Sequence, residues 1–215
     1  MSNLPPTPAG IVVGPDRVRR CWWAAQPEIY QAYHDDEWGR PVADDCRLFE
    51  KICLEGFQSG LSWLTILKKR ENFRRAFRDF DFREVACFGP RETALLLGDA
   101  GIVRHRGKIA ATIHNAGRAI ELAAEFGSLA AYFWHWEPPA GERPRRLDQA
   151  TLAALGPAPA ALALSKDLRR RGWSFVGPTT CHAFMQAMGL VNDHLDGCGF
   201  RAKVERARRQ FARPG

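Results

Sequence analysis

The sequence has no uninterrupted apolar stretch long enough to span a membrane, and its first residues do not follow the pattern of a signal peptide. Its six cysteines are too scattered for a disulfide-stabilised fold, which favours a cytoplasmic protein with reduced thiols. The alternating pattern of half-exposed strands is almost absent, whereas apolar residues recur at helical spacing. These absences predict an all-α protein without a membrane-spanning segment.

Two motifs of catalytic zinc sites, H-E-x-x-H and C-x-x-C, are also absent. The cysteines and histidines instead include two distant pairs. Twelve residues separate Cys21 from His34, and three separate His194 from Cys198. Both spacings suit two ligands of one metal ion, and four protein ligands are typical of a closed, structural site. Buried cysteines and surface histidines without any metal would give the same pattern.

The size and charge of the chain limit its architecture and its partners. Its 215 residues, 46% of them hydrophobic, suffice for one domain or for two small lobes that share a core. A net charge of +7 and a pI of about 9.4 favour a polyanionic partner, although an arginine-rich proteome raises the pI without any function. The basic residues cluster in four places: residues 68–70, 104–108, 169–171 and 201–209.

Helical periodicity and capping residues predict the main elements. Asp44 and Asp45 are suitable N-caps for a first helix. Proline residues predict a loop over residues 137–146. We expect a disordered extension over residues 1–20, one helical domain over residues 21–200 with a hairpin at about 98–108, and a basic tail over 201–215. Further helices are predicted at residues 62–77, 90–97, 108–126, 129–136, 160–171 and 178–190.

The segment DAGIVRHRGK is predicted to join two helices as a hairpin. Gly101 and Gly107 permit tight turns and the close approach of a ligand. N–H groups at the start of the second helix can bind a phosphate, and Arg104, Arg106 and Lys108 add positive charge there. Such a helix-hairpin-helix holds DNA by its backbone without reading bases. A glycine C-cap between two core helices is the alternative.

Aromatic residues are crowded between Trp22 and Trp38, in a segment whose polar composition is typical of a loop. Aromatic faces near a carboxylate suit a flat, electron-poor or cationic base, through stacking and cation–π attraction. Glu55, near the predicted end of an apolar helix, is the candidate carboxylate, although a glutamate in that position more commonly lies on the surface. Other aromatic residues at helical spacing are predicted to lie in the core: Phe49, Phe73 and Phe77.

Most of residues 21–198 resemble the DNA-3-methyladenine glycosylase I family of bacteria. The matching segments are CWW, YHDDEWG, LFEKICLEGFQSGLSWLTILKKRENF, DAGIVRHRGKI, ALSKDLRRRGWSFVGPTTCHAFMQAMGLVNDH and the closing Cys198. The resemblance implies a two-lobed, helix-hairpin-helix glycosylase fold whose N- and C-terminal segments are joined by a structural Zn²⁺. The implied zinc ligands are Cys21, His34, His194 and Cys198. The implied base pocket uses Glu55 as its catalytic and base-recognising residue, with walls formed by Trp23, Tyr30, Tyr33, Trp38 and Trp63.

The activity implied by the resemblance is hydrolysis of the N-glycosidic bond of 3-methyladenine after base flipping, without lyase activity. The expected partner is duplex DNA containing alkylated bases, bound by a monomer away from any membrane. Exposed, phosphate-binding positions are expected for Lys68, Lys69 and Lys108. Two alternatives stay open: a non-catalytic, zinc-stabilised DNA-binding module, and a glycosylase for another damaged purine. Residues 1–20, 137–160 and 201–215 contain no recognisable element of the family.

Overall fold

The computed structural model describes residues 7–144 and 146–215, and this part of the chain is mainly helical. The all-α prediction is confirmed, with one pair of three-residue strands as the exception, and no helix in the described ranges is long and apolar enough to cross a membrane. The elements are β1 (Ile11–Val13), β2 (Arg19–Cys21), α1 (Glu28–Asp36), α2 (Asp45–Gln58), α3 (Trp63–Ala76), α4 (Phe82–Val85), α5 (Pro90–Gly98), α6 (Arg106–Phe126), α7 (Leu129–Trp134), α8 (Gln149–Leu155), α9 (Pro159–Arg170), α10 (Pro178–Ala187) and α11 (Arg201–Gln210). Short 3₁₀ turns occur at Trp22–Ala24, Arg78–Phe80 and Ala140–Glu142.

The backbone divides into two compact units, each built from separate stretches of the sequence. The first unit comprises the described residues of Met1–Pro41, Pro138–Gly156 and Gln186–Phe211. The second unit comprises Val42–Glu137, Pro157–Met185 and Ala212–Gly215.

The first unit contains an ordered β-hairpin within the segment that was expected to be disordered. Strands β1 and β2 pair antiparallel, with Ile11 opposite Cys21. Residues 1–6 of the expected extension lie outside the described residues, but for residues 11–20 the expectation of disorder is wrong. The apolar side of this hairpin belongs to a small core, which explains why the segment folds. The buried members of this core are Ile11, Cys21, Leu147, Leu195, Cys198 and Phe200.

Three helices occur where the sequence predicted none. Helix α1 occupies the segment interpreted as loop-like, and α8 lies in the stretch without family motifs. Helix α11 makes the first part of the basic tail an ordered element. Its Val204 is buried, and the Arg208 guanidinium donates to the carbonyl oxygens of Gly189 (2.7 Å) and Leu190 (2.9 Å). Arg208 therefore stabilises the fold of the first unit and also contributes to the high pI.

The second unit is a bundle around α6, which contacts α2, α4, α5 and α7. Side-chain caps fix the starts of α2 and α3, and the cap of α2 was predicted from the sequence. The Asp44 carboxylate accepts from the backbone N–H of Arg47 (2.8 Å), and the Ser62 hydroxyl accepts from Thr65 N–H (3.2 Å). The core is rich in aromatic rings, and the predicted core positions are confirmed. Its fully buried phenylalanines are Phe49, Phe57, Phe73, Phe77, Phe80, Phe82, Phe133 and Phe184.

Helices α5 and α6 are joined by a turn over residues 99–105, within the segment that was predicted to form a hairpin. The turn is held from two sides. The N–H of Gly101 donates to the Asp99 carboxylate (2.7 Å), and the Gly101 carbonyl oxygen accepts from Asn72 of α3 (3.1 Å). A Cβ at position 101 would lie 2.9 Å from Asp99 Oδ1 and 3.1 Å from the Asn72 side chain, so a larger residue would displace these two side chains. Lys69 of α3 donates to the Ala100 carbonyl oxygen (2.8 Å).

Candidate active site and metal centre

Four side chains meet in the first unit and form a cluster that could hold a metal ion. Cys21 ends β2, His34 lies on α1, and His194 and Cys198 precede α11. Their ligand atoms lie within 4.8 Å of one another, and all four residues are buried. The structure therefore brings together the two cysteine–histidine pairs that the sequence spacing singled out, although His34 and His194 are 160 positions apart. We refer to these four residues as the Cys/His cluster.

Hydrogen bonds outside the cluster orient both histidine rings. His194 Nε2 donates to the Trp38 carbonyl oxygen (3.1 Å), because a carbonyl oxygen can only accept. His34 Nδ1 donates to Asp35 Oδ1 (2.8 Å). Each proton is thereby placed on the outer nitrogen, so the inner nitrogens, His34 Nε2 and His194 Nδ1, turn their lone pairs toward the cluster. Metal-binding histidines need this arrangement.

Asp35 connects the cluster to β2 through a buried guanidinium. Its carboxylate accepts from Arg20 Nε (3.0 Å) and from the terminal Arg20 nitrogen (2.7 Å). Arg20 is also paired with Asp16 (2.7 Å), and this hydrogen bond lowers the pKa of Asp16 to about 2. The two carboxylates satisfy a guanidinium that is only 6% exposed. Asp35 thus holds the ring of a cluster histidine and is itself held in place.

The two thiols of the cluster have opposite tendencies to ionise. The hydrogen bond from Cys21 lowers the pKa of the Cys198 thiol well below its usual range. The same contact with Cys198, together with burial, raises the pKa of Cys21. The site therefore favours a thiolate at Cys198, and the thiolate is the form that binds a metal ion.

We expect Asp35→Asn to weaken metal retention by ~10–100-fold, the usual effect of removing an outer partner of a histidine ligand. The amide is a poorer acceptor for His34 Nδ1–H and leaves Arg20 with one carboxylate. Metal loss to a competing chelator, followed over a concentration series, measures the effect. Asp36→Asn is the matched control, because Asp36 is the exposed neighbour on α1. Equal retention in both variants would remove Asp35 from this role.

Four of the predicted base-binding aromatic residues form one group in the first unit. The Trp23 ring is its centre, with ring centroids 5.8 Å from Tyr30, 6.4 Å from Tyr33 and 5.0 Å from Trp38. The Trp38 ring in turn lies edge-on to His194, at 4.7 Å. The aromatic group therefore adjoins the Cys/His cluster directly, and the ordered cluster fixes where these rings lie.

Glu55 and Trp63 belong to the second unit and meet there with a lysine. Glu55 lies on α2 and is only 6% exposed. It is therefore buried, although a glutamate near the end of a helix more commonly lies on the surface. Lys51, one helical turn earlier, places its ammonium 2.7 Å from Glu55 Oε1. The same ammonium lies 3.3 Å from the centroid of the Trp63 ring, a cation–π contact. A carboxylate, an ammonium and an indole face are thus gathered at one place.

Sequence reasoning missed Lys51. The four-residue spacing of Lys51 and Glu55 was visible, but such pairs are usually exposed and contribute little. Here both partners are buried, because α3 begins with Trp63 and its indole covers the lysine. This arrangement depends on the path of the chain between α2 and α3, and the sequence pattern does not predict that path.

A second buried carboxylate on α2 has a structural role. Glu50 accepts hydrogen bonds from Arg70 (2.7 Å) and Arg74 (3.0 Å), both on α3. Two guanidinium groups therefore neutralise it and join the two helices. Glu50 and Glu55 are a natural pair for comparison, because they share a helix and are similarly buried.

The basic positions of the hairpin divide into exposed and buried groups. Arg104, Arg106 and Gly107 are exposed. Lys108 is only 7% exposed, so the prediction of an exposed, phosphate-binding charge is wrong for this residue. Its ammonium donates to the carbonyl oxygens of Phe57 (2.9 Å) and Ser59 (2.5 Å), and burial lowers its pKa. Lys108 caps the end of α2, where carbonyl groups lack helical partners.

Comparisons with known proteins agree with the resemblance read from the sequence. A family model described as methyladenine glycosylase matches residues 23–202. The chain is 46% identical over 182 residues to DNA-3-methyladenine glycosylase 1 of Escherichia coli (strain K12), covering 84% of this chain and 96% of that protein. A crystal structure of 3-methyladenine DNA glycosylase I is 47% identical with a TM-score of 0.74, covering 84% of this chain and 98% of the other.

A third similar protein is a variant of 3-methyladenine DNA glycosylase I, whose crystal structure was solved in complex with 3-methyladenine. It is 32% identical, with a TM-score of 0.76 over 83% of this chain and 95% of the other. The family model matches parts of both units and includes Glu55, the hairpin and three members of the Cys/His cluster, His34, His194 and Cys198; it begins two residues after Cys21. On this basis the chain belongs to the methyladenine glycosylase family.

Proposed function

We propose that the protein removes 3-methyladenine from alkylated duplex DNA by hydrolysing the N-glycosidic bond, as a base-excision repair enzyme. The observation that carries the proposal is similarity over 84% of the chain to a glycosylase named for this base. A similar protein that was crystallised with 3-methyladenine supports the choice of base. The buried Glu55, the aromatic group around Trp23 and the single indole of Trp63 are the residue types that such a base requires.

The chemistry of the lesion explains why a modest set of catalytic groups suffices. Methylation at N3 makes the attached purine cationic and weakens its bond to the sugar. The protein must extrude the nucleotide, which costs a few kcal/mol and least for a damaged base, and must bind it while water attacks the sugar. Stacking on aromatic rings offsets this cost by ~1–3 kcal/mol per base–ring contact.

In this proposal Glu55 accepts hydrogen bonds from the edge of the base and stabilises its positive charge. Its ion pair with Lys51 holds the carboxylate in one orientation. Undamaged adenine is neutral and presents a different edge, so it gains less from the same carboxylate. The aromatic residues proposed to contact the base are Trp23, Tyr30, Tyr33, Trp38 and Trp63.

We propose simple hydrolysis without a lyase step. A lyase requires a lysine amine that can reach the sugar carbon and form a Schiff base. The Lys108 ammonium is buried and already donates to two carbonyl oxygens, and the Lys69 ammonium donates to the turn of the hairpin. These contacts support structural roles for both lysines, the Lys51 ammonium is paired with Glu55, and in this proposal water is the nucleophile.

We further propose that the exposed part of the hairpin binds the DNA backbone. Its contributors are Gly101, Arg104, Arg106, Gly107 and the N–H groups at the start of α6. Changing both Arg104 and Arg106 to alanine should weaken binding to duplexes of any sequence and reduce the slope of log K against log salt by roughly 2, because each arginine neutralises one phosphate. Binding titrations at several salt concentrations measure this slope. An unchanged slope would mean that the two arginines do not bind phosphates.

Zinc is the ion that we propose for the Cys/His cluster. With Zn–S of about 2.3 Å and Zn–N of about 2.0–2.1 Å, tetrahedral geometry separates two nitrogens by about 3.3 Å and a nitrogen from a sulfur by about 3.5 Å. The two inner ring nitrogens lie 3.1 Å apart, and Cys198 Sγ lies 3.6 Å from His34 Nε2 and 3.5 Å from His194 Nδ1. Four protein ligands leave no open position, so the proposed role is structural.

The proposed setting is the cytoplasm, with the protein acting as a monomer on DNA. Six cysteines, none of them in a disulfide among the described residues, suit a reducing compartment. Thiolate ligands of a metal ion also require reduced sulfur.

Release of free 3-methyladenine from alkylated duplex DNA tests the function directly. We expect the purified protein to release this base and to leave an intact abasic strand. DNA binding without base release would support the non-catalytic alternative. Release of other damaged purines in preference to 3-methyladenine would support the alternative of a glycosylase for another lesion. Strand cleavage at the abasic site would overturn the proposal of simple hydrolysis.

A further inference from the structure

Phe175 has a backbone conformation that its side chain disfavours. Its φ of 58° lies in the left-handed region, where a Cβ crowds the backbone. The same loop has a glycine at Gly172, with φ 86°, where such a conformation is unstrained. Phenylalanine at position 175 therefore has a conformational free-energy cost that glycine would avoid. Strain of this kind persists when the surrounding structure imposes it, and it occurs most often at functional sites.

The residues on both sides of Phe175 impose this conformation. The Asn115 side chain of α6 accepts from Ser174 N–H (2.9 Å) and donates to the Ser174 carbonyl oxygen (3.0 Å). On the other side, the Ser165 hydroxyl of α9 donates to the Val176 carbonyl oxygen (2.7 Å). Trp173 and Val176 are buried, at 3% and 2% exposure. The backbone at position 175 is thus fixed by two helices, and the direction of its side chain is fixed with it.

The phenyl ring does not complete the core. It is 39% exposed, whereas the core phenylalanines of the second unit are fully buried. Burial of apolar area therefore does not account for a strained aromatic residue here, because an exposed ring gains only part of the transfer free energy. The protein presents this ring on its surface.

The ring is presented beside the hairpin and beside the helix that carries Glu55. It lies edge-on to the His105 ring at 6.3 Å, and His105 is the N-cap of α6. A Cβ on Gly107 would lie 3.9 Å from the Phe175 ring, and a Cβ on Gly56 would lie 3.2 Å from Phe175 Cβ. Phe175 therefore occupies the space between the proposed phosphate-binding helix start and the residue that follows Glu55.

We propose that Phe175 contacts DNA, stacking on a nucleotide that is exposed when the damaged base leaves the helix. This inference rests on the proposed function, and it adds an aromatic contact to the charged contacts of the hairpin. Opening a duplex exposes a base face or a sugar face next to the gap, and an aromatic ring binds such a face whatever the sequence. A ring held rigidly before DNA arrives loses little conformational entropy on binding.

Binding to a duplex that contains a stable abasic-site analogue tests the proposal. We expect Phe175→Ala to bind ~5–100-fold more weakly, the range expected when one base no longer stacks on an aromatic ring, and Phe175→Trp to retain affinity. The slope of affinity against salt should not change, because phenylalanine is uncharged and neutralises no phosphate, in contrast to Arg104 and Arg106. Leu162→Ala, at another exposed apolar side chain of the second unit, is the matched control.

Phe175→Gly separates a binding role from a structural one. Glycine adopts the left-handed conformation without strain, so this variant should melt no lower than Phe175→Ala while binding the abasic duplex as weakly. Wild-type affinity in Phe175→Ala, or a loss of DNA binding that only accompanies a loss of stability, would overturn the proposal. Release of 3-methyladenine by the wild-type protein is measured separately, so failure of the proposed function is distinguished from failure of this contact.

Discussion

Glu55→Gln is expected to lose most release of 3-methyladenine while the protein stays folded. The amide is the same size and still accepts a hydrogen bond from Lys51, but it carries no negative charge for a cationic base. Truncating one partner of a buried, charged hydrogen bond costs 2–5 kcal/mol, so kcat/KM should fall by about 30-fold or more. Single-turnover release from alkylated DNA and quenching of tryptophan fluorescence by free 3-methyladenine measure excision and base binding.

Glu50→Gln is the control for this experiment. Glu50 lies five residues earlier on the same helix and is also buried, but its partners are Arg70 and Arg74. This change should lower thermal stability and leave excision by the remaining folded protein intact. Glu55→Ala is expected to lose excision too and to lose more stability than Glu55→Gln, because it leaves the Lys51 ammonium without its carboxylate. Undiminished excision by both Glu55 variants would reject the assigned role.

Cys198→Ala is expected to lose its metal ion and much of its stability together. Three ligands bind the ion far less tightly than four, and structural zinc gives zinc-finger peptides an apparent ~10–16 kcal/mol of folding free energy. In a protein of this size, a loss of even ~4 kcal/mol lowers Tm by about 8–16 °C. Metal content measured by elemental analysis and Tm measured by circular dichroism should therefore fall in the same variant.

Cys181→Ala shows whether the effect belongs to the cluster. Cys181 is fully buried, its sulfur donates to the Val176 carbonyl oxygen, and it lies outside the Cys/His cluster. Its replacement should cost stability through poorer packing but leave the metal content unchanged. Stoichiometric zinc in Cys198→Ala would contradict the ligand set, and equal metal loss in both variants would indicate general unfolding.

The sequence predicted those parts of the fold that depend on local chemistry. Asp44 and Ser62 are capping residues, and the helices begin beside them. Local signals failed where a long-range contact decides the structure. Helix α1 is polar in composition, yet its His34 is buried, because His194 and Phe200 from the far end of the chain pack against its ring. The strands near Ile11 form for the same reason.

The same limit applies to the site: the sequence reveals which residue types are present, but not what surrounds each side chain. Spacing and family resemblance together named the Cys/His cluster and Glu55, because residue types and motifs are visible in a sequence. Neither could reveal that Lys51 is buried against Glu55, or that Lys108 turns inward to cap α2. Both facts depend on the direction of a long, flexible side chain, and that direction is set by helix packing.

The separation of the cluster's ligands along the chain has a consequence for biosynthesis. Proteins leave the ribosome from the N-terminus, and folding units assemble as their residues emerge. Helices α2 to α7 lie between the two halves of the Cys/His cluster and can form while His194 and Cys198 are still unmade. The proposed ion would acquire its full set of ligands only after residue 198 has been made. Truncated products that end before residue 194 would therefore lack two of the four proposed ligands, His194 and Cys198, and could not form the complete site.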